Sequence, residues 1–407
     1  MLPSLRIVKG GLRRATEALA TEIAAPRPGS TTPEWSELEW QLAAAAAAAH
    51  GVSPLLSTTS TWQNAPWQSF LAHQREHVAQ RFTRIAVLLE RIDRGARAAG
   101  LPIVPLKGAA LHALGVYLPG ERPMADIDLL VRECDVAATN ALLETLGYEE
   151  SLATWKHRSF KPMAGRVMPG LGEHRDTQIT IELHTCIQER LPVSAVEITA
   201  RIYPTRPQPG LNPYPSIGAL MSHLLLHTAG NICSRTLRLL HLNDIARLAA
   251  RMTDEDWNVL WVGQAGEPPW WALPPLRLTA RYYHDAIPAS VLARVTAGCP
   301  ALLRMTSRRQ TLTHASCSDL WIQTFPGIEW SRSVREAGRY ISRRIKPGED
   351  AHRERMGQAR TQAFLQGQSW ARLSRGRQIL LRLTRPVPRM DALYVVRAAL
   401  ARDAGAP

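Results

Sequence analysis

The chain has 407 residues, 45% hydrophobic and 21% charged, the composition of a globular protein of roughly two or three domains. No run of about eighteen apolar residues occurs, so no membrane span is expected. The formal net charge of +14 is uneven: 20 of the 49 basic residues but only 8 of the 35 acidic ones lie in 301–407, so the basic character belongs to the last quarter.

Residues 1–30 read as a flexible arm running into the loop-like stretch APRPGSTTP. The arm carries basic residues but no compact apolar block with a cleavage site, so no signal peptide is read there. From 31 to 100 the pattern is helical. Thr32 can cap a helix whose first turn takes Pro33. Further on, Phe82, Ile85, Leu88, Leu89 and Ile92 recur at helical spacing.

A βαβ-like section follows. LPIVPLKG (101–108) is a short apolar strand ending in a glycine, AALHALGV a helix, and ADIDLLVR (125–132) the next strand. Residues 133–146 form an amphipathic helix stopped by Gly147. The variable stretch 155–168 has room for strands. TQITIELHTCI (177–187) then alternates, with Ile179, Ile181 and Leu183 on one face and Thr180, Glu182 and His184 on the other.

From about 216 to 300 the pattern is helical again, interrupted by PPWWALPP; Trp257, Trp261, Trp270 and Trp271 read as packing residues. Residues 301–407 read as basic and mainly helical. Such charge suits nucleic acid, an acidic peptide or an anionic membrane surface. No zinc finger or RNA-recognition signature accompanies it, and a solvated arginine-rich helical face is the plainer reading. Cys134, Cys186, Cys233, Cys299 and Cys317 are scattered without a C-x-x-C pair, which reads as reduced thiols of a cytoplasmic protein.

The chemistry concentrates in the strands. Asp126 and Asp128 point the same way from one strand, and two like charges side by side repel. A bound cation is a reason to keep both. If the strand carrying Glu182 is a neighbour, a third carboxylate converges. Three oxygen ligands with open positions suit Mg²⁺, which keeps waters and takes substrate phosphates. Gly108, at the strand-to-helix turn, lets backbone N–H groups approach phosphates. Lys107 and Arg122 bring positive charge. Equally, Lys107 can cap the sheet edge and Arg122 can pair with an aspartate to hold its loop. His184 shares the face of Glu182 and either lines the site or orients that carboxylate. His223 and His227 have metal-ligand spacing on a helix but no third ligand in sight. The default is a core or interdomain pair, with His227 approaching the cleft. Asp244, in an otherwise apolar helix, needs an Arg or His partner.

The run LKGAALHALGVYLPGERPMADIDLLV, followed some fifty residues later by ITIELHTCI, resembles the nucleotidyltransferase superfamily typified by DNA polymerase beta. More narrowly it resembles a bacterial family of uncharacterised nucleotidyltransferases, over about residues 35–290. His227 in HLLLHTAG and Asp244 in LLHLNDIARLA match that family's downstream His and Asp. The expected fold is α+β: a small mixed β-sheet nucleotidyltransferase core (101–200), an N-terminal helical segment (31–100), a helical domain (215–300) and the helical C-terminal region. The resemblance implies that Asp126, Asp128 and Glu182 are catalytic and hold Mg²⁺, as two ions about 3.5–4 Å apart. It implies that Lys107, Gly108 and Ala109 form the nucleotide-phosphate turn, with Arg122 beside it. A nucleoside triphosphate, ATP for instance, would be the donor. The acceptor would be a hydroxyl on a small molecule, a sugar or a peptide natural product. Two departures stand out: Ala109 replaces the Ser or Gly usual at the turn in the superfamily, and Ala125 replaces a frequent Gly.

Two other classes fit the same residues less well. A metal-dependent glycosyltransferase using D-x-D needs a larger sheet before the motif than 101–125 supplies. A catalytically degenerate nucleotide-binding scaffold would have little reason to keep all three carboxylates.

Overall fold

The computed structural model describes residues 2–25, 31–165, 168, 170–262, 268–348 and 373–403. The first element, α1 (Leu5–Ala24), corrects the expected arm. Its Val8, Leu12, Ala15 and Leu19 form one buried stripe. The Gly10-Gly11 pair looks like loop chemistry, but a Cβ on Gly11 would collide with Leu42 of the next helix. That helix, α2 (Glu37–Ala49), starts later than Thr32 suggests. Its cap is Ser36, whose N–H donates to Glu39 Oε2 at 3.0 Å. Next come α3 (Ser53–Thr59) and the long α4 (Ala65–Ala98), capped by Asn64, which accepts from the Trp67 N–H at 2.9 Å.

The main sheet contains β1 (Pro102–Pro105), β2 (Asp126–Leu130), β3 (Tyr148–Ala153), β4 (Arg158–Pro162), β5 (Thr180–His184) and β8 (Gly210–Leu211), in the order β3-β4-β5-β2-β1-β8. The hairpin of β6 (Gln188–Arg190) and β7 (Ala195–Glu197) stands apart. β2 and β5 run parallel, while β1 is antiparallel to β2 and β4 to β5. α5 (Lys107–Ala113) follows β1. α6 (Val136–Thr145) follows β2 and ends at a turn where Gly147 has φ +85°, a conformation that favours glycine. The short α7 (Thr199–Ile202) precedes two core helices, α8 (Ile217–Ser234) and α9 (Leu239–Ala249).

Two cores place the site. On one face of the sheet, Ile103, Ile127, Leu129, Ile181 and Leu183 pack against Ile85, Leu88 and Ile92 of α4 and against Val136 and Leu143 of α6. The opposite face looks toward α8 and α9, which belong to a larger core shared with α1, α2 and the C-terminal helices. The crevice between is where polar side chains of β2 and β5 emerge.

The region 301–407 is no appended tail. Leu303, Leu312, Leu320, Trp330, Leu393 and Val396 are buried in the larger core. Residues 349–372 and 404–407 of that region, with 26–30 of the expected arm, lie outside the described residues. Trp257, Trp270 and Trp271 are buried, as packing residues should be. All five cysteines are unpaired thiols. Among the described residues no helix is long and apolar enough to cross a membrane.

Candidate active site

Register builds the site. Parallel pairing sets Asp128 directly opposite Glu182, and Asp126 opposite Thr180. With a side-chain period of two, Asp126, Asp128, Glu182 and His184 all leave the sheet on the crevice side. They line a cavity of about 410 Å³ whose far wall is His223, His227 and Asn231 of α8 with His241 and Asp244 of α9.

Lys107 closes one side. It sits at the start of α5 with φ +44°, a left-handed conformation uncommon for a residue with a side chain. Its ammonium lies 2.7 Å from Asp128 Oδ1, and His184 Nε2 lies 3.0 Å from the same oxygen. Burial would raise Asp128, but Lys107 and His184 outweigh it and hold the carboxyl well below its usual range. Asp126 has no such partners among the described residues, and burial together with the charge of Asp128 pushes it up. Glu182 is pushed up to about 8 by burial and by the Asp128 and Asp126 carboxylates. Burial opposes the Lys107 charge, yet the three carboxylates prevail and raise its pKa.

His184 therefore attends Asp128 first; it stands 3.8 Å from Glu182, the carboxylate that one of the two sequence readings had it orient. The second neighbour of Glu182 is His157, 3.4 Å away and neutral, with burial and then His184 lowering it to about 4. Among the described residues, the ligand atoms that gather within 4.8 Å of one another are those of His157, Glu182 and His184, a group able to hold a metal ion. The three carboxylates do not form so tight a set.

Arg122 lines the cavity and is paired with an aspartate. Its Nε donates to Asp244 Oδ1 at 2.8 Å and its Nη2 to Oδ2 at 2.7 Å, and the Tyr117 hydroxyl donates to Oδ1 at 2.7 Å. This supplies the partner that Asp244 needed and makes the pair a brace between the β2 approach and α9. Gly108 serves the brace as well: a Cβ there would strike Arg122 Nη1 and press on Met124 at 3.0 Å. Ala109 is buried, and its N–H donates to the Leu106 carbonyl at 3.2 Å. His227 lines the cavity as expected. His223 hydrogen-bonds the Tyr214 hydroxyl at 2.7 Å, and that hydroxyl accepts from the Lys107 N–H at 3.3 Å.

Three contributors escaped the sequence reading. His157 and Lys156 sit in the turn before β4, and the antiparallel pairing of β4 with β5 carries them to the cavity. Arg81 of α4 is 1% exposed and acts from behind the strands. It donates to the carbonyls of Met124 (3.0 Å) and Ala125 (2.8 Å) before β2, and of Thr177 (2.5 Å) and Gln178 (3.1 Å) before β5. One side chain thus aligns the two strands that carry the acids. An arginine in a long amphipathic helix carries no sequence signal for such a role.

A family model described as an uncharacterised nucleotidyltransferase matches residues 36–268. The chain belongs to this family. Nothing matches significantly among curated proteins or among solved structures. As a nucleotidyltransferase, the protein is a transferase that handles a nucleoside triphosphate donor. The matched span of this nucleotidyltransferase contains the acid cluster, its Lys and His neighbours and the Arg122–Asp244 brace. It excludes α1 and the chain beyond residue 268.

Proposed function

We propose that the protein moves a nucleoside monophosphate from a triphosphate to an acceptor hydroxyl, releasing pyrophosphate. The observation that carries this reading is the parallel pairing of β2 with β5, which gathers Asp126, Asp128 and Glu182 on one face beside a half-buried lysine.

Two of the three acids, Asp126 and Glu182, are raised by burial and by the charge of Asp128, so the cluster is short of positive charge. An all-oxygen set of that kind fits Mg²⁺. Asp126, Asp128 and Glu182 would hold it, as the two ions the superfamily suggests, and when bound it polarises the α-phosphoryl group and stabilises the leaving oxygen. In the transfer the acceptor oxygen bonds to the α-phosphorus in line. The bond to the bridging oxygen breaks, and pyrophosphate leaves with the electron pair. Glu182 is the group placed to take the hydroxyl proton. Lys107 is the cation best placed for the charge that builds on the triphosphate, exchanging Asp128 for phosphate oxygen as the nucleotide enters. Arg122 and Asp244 keep the RPMAD turn in register with α9.

The test is thermal stability with each nucleoside triphosphate, with and without Mg²⁺. Ligand at a hundred times its Kd stabilises a folded protein by about 2.7 kcal/mol. A metal-dependent rise with at least one triphosphate is expected, and its loss in Asp126→Asn. No rise with any of the four, in protein shown to be folded, would sink the reading.

A further inference from the structure

A second cavity, of about 710 Å³, adjoins the acid cluster. The two share Lys156, Glu189, His227, Asn231 and Thr236 as common walls. The junction is a built feature. Lys156 Nζ lies 2.5 Å from Glu189 Oε1, and a Cβ on Gly230 would press on the Glu189 carboxylate at 2.6 Å. A molecule in the second cavity can therefore reach past Lys156 toward Glu182 without crossing the core.

We propose that this second cavity binds the acceptor, and that the acceptor is a polyhydroxylated molecule of the sugar class, neutral or carrying one acid group. The proposal rests on the nucleotidyltransfer reading and names its second substrate.

Size and chemistry select that class. The volume falls within the roughly 300–1,000 Å³ of sites for small organic ligands. Trp155 and Trp321 supply apolar ring faces, and Asn231, Thr236, Gln323 and Asp319 supply hydrogen-bonding groups. Asn231 with His227 and Thr236, and Gln323 with Asp319 and Arg235, form hydrogen-bonded groups along the wall, a polar lining that a hydroxyl-rich ligand matches better than a wholly apolar one. The acids of the cavity are already neutralised: Glu189 by Lys156, Asp319 by Lys9 at 3.7 Å, and Asp391 by Arg389 at 2.7 Å. They keep lone pairs for hydroxyl donors but offer no spare negative charge for a cationic acceptor. A polyanion would meet those same three carboxylates. Among the described residues Arg190, stacked 4.1 Å over the Trp155 ring, is in no ion pair, which leaves a place for an acid group.

Position in the chain points the same way. The acid cluster lies inside the family-matched residues, whereas Asp319, Trp321, Gln323, Arg344 and Arg389 lie beyond residue 268. The common chemistry comes from the matched span, and the far wall of the second cavity comes from this chain's own extension.

The experiment is calorimetric titration of the full chain, with Mg²⁺ and a non-hydrolysable triphosphate present. The probes are glucose, N-acetylglucosamine, glucuronic acid and myo-inositol, against octanol and an acetylated serine tripeptide. Saturable binding of at least one polyol is expected. Trp321→Ala and Gln323→Ala, each made separately, should weaken it fivefold or more while keeping the Mg²⁺–triphosphate thermal shift. Binding of octanol or the tripeptide alone, no saturable polyol binding, or polyol affinity unmoved by both variants would overturn the proposal. Because the thermal shift is read on the same protein, failure of the nucleotide site shows itself separately.

Discussion

Asp126 and Asp128 stand two residues apart on one strand, and their surroundings differ. Asp128 accepts from Lys107 and His184, while Asp126 makes no ion pair among the described residues. Asp128→Asn leaves the half-buried Lys107 ammonium without its nearest counter-charge, and breaking such a pair should cost about 3 kcal/mol. Asp126→Asn removes no pair and should cost within about 1 kcal/mol. Urea unfolding of the two variants separates these cases, and equal losses would remove the Lys107–Asp128 pair as organiser of the site. Arg81 gives a second residue-scale prediction. Arg81→Ala abandons four backbone carbonyls, so it should cost at least about 3 kcal/mol and abolish the nucleotide-dependent thermal shift. Arg81→Lys should recover less than half of that stability, because a compact ammonium cannot span the starts of both strands. Full recovery by lysine would show that charge, and not the planar fork, is what the strands need. None of the Arg81 contacts is written in local sequence. The acids were legible because alternation in β2 and β5 is a local property, while the partners of each acid depend on which strands become neighbours.

Between elements, the ring of His50 is the tie that sequence reasoning passed over. It ends α2, accepts the Leu239 N–H of α9 on Nδ1 at 3.1 Å, and faces Ser318 Oγ at 3.0 Å from Nε2. Accepting on Nδ1 fixes the neutral tautomer with its proton on Nε2, donated to Ser318. Burial, with Arg238 adding, lowers His50 to about 4. A histidine lowered on folding contributes stability that is complete above its unfolded pKa, about 6.5. As pH falls from there toward 4, the unfolded chain gains a proton that the folded one refuses, and up to about 3 kcal/mol is lost. Denaturant midpoints at pH 7.5 and 4.5 should show that fall in the wild type and a smaller one in His50→Gln. Equal slopes would show that other groups govern the acid limb. The strand found between 155 and 168, β4, illustrates the same boundary of legibility. Room for it could be read from the chain, but the turn that brings Lys156 and His157 to the cavity depends on the β4–β5 pairing. The N-terminal helix was hidden for a different reason: the arm was read from the loop-like stretch that follows it, whereas Gly11 is where Leu42 of α2 fits.

At the scale of the molecule, the sheet core was legible from one specific motif and a later alternating strand. The integration of the two ends was not. Composition separates a basic last quarter from the rest, yet its apolar residues complete the core that α1 and α2 begin. The last helix, Met390–Asp403, packs against α2 with Leu393 and Val396 buried. Ending the chain at Pro388 should therefore cost at least about 3 kcal/mol, from two large side chains at about 1.5–3 kcal/mol each. A thermal midpoint unchanged by that truncation would mean the helix is dispensable. Any search for nucleic-acid binding should accordingly leave the region in place and vary salt, since removing 301–407 would take the core with it.

The hydroxyl of Thr16, in α1, lies 2.6 Å from that of Ser318, 302 residues further along. During synthesis α2 follows the first helix closely and can cover one side of it, but the segment that carries Ser318 does not yet exist. At about 5–20 residues per second, roughly 15 to 60 seconds pass before the ribosome delivers it. For that interval the side of α1 that meets the C-terminal region stays open on the nascent chain. Closure of the molecule is an event that follows translation of most of its length.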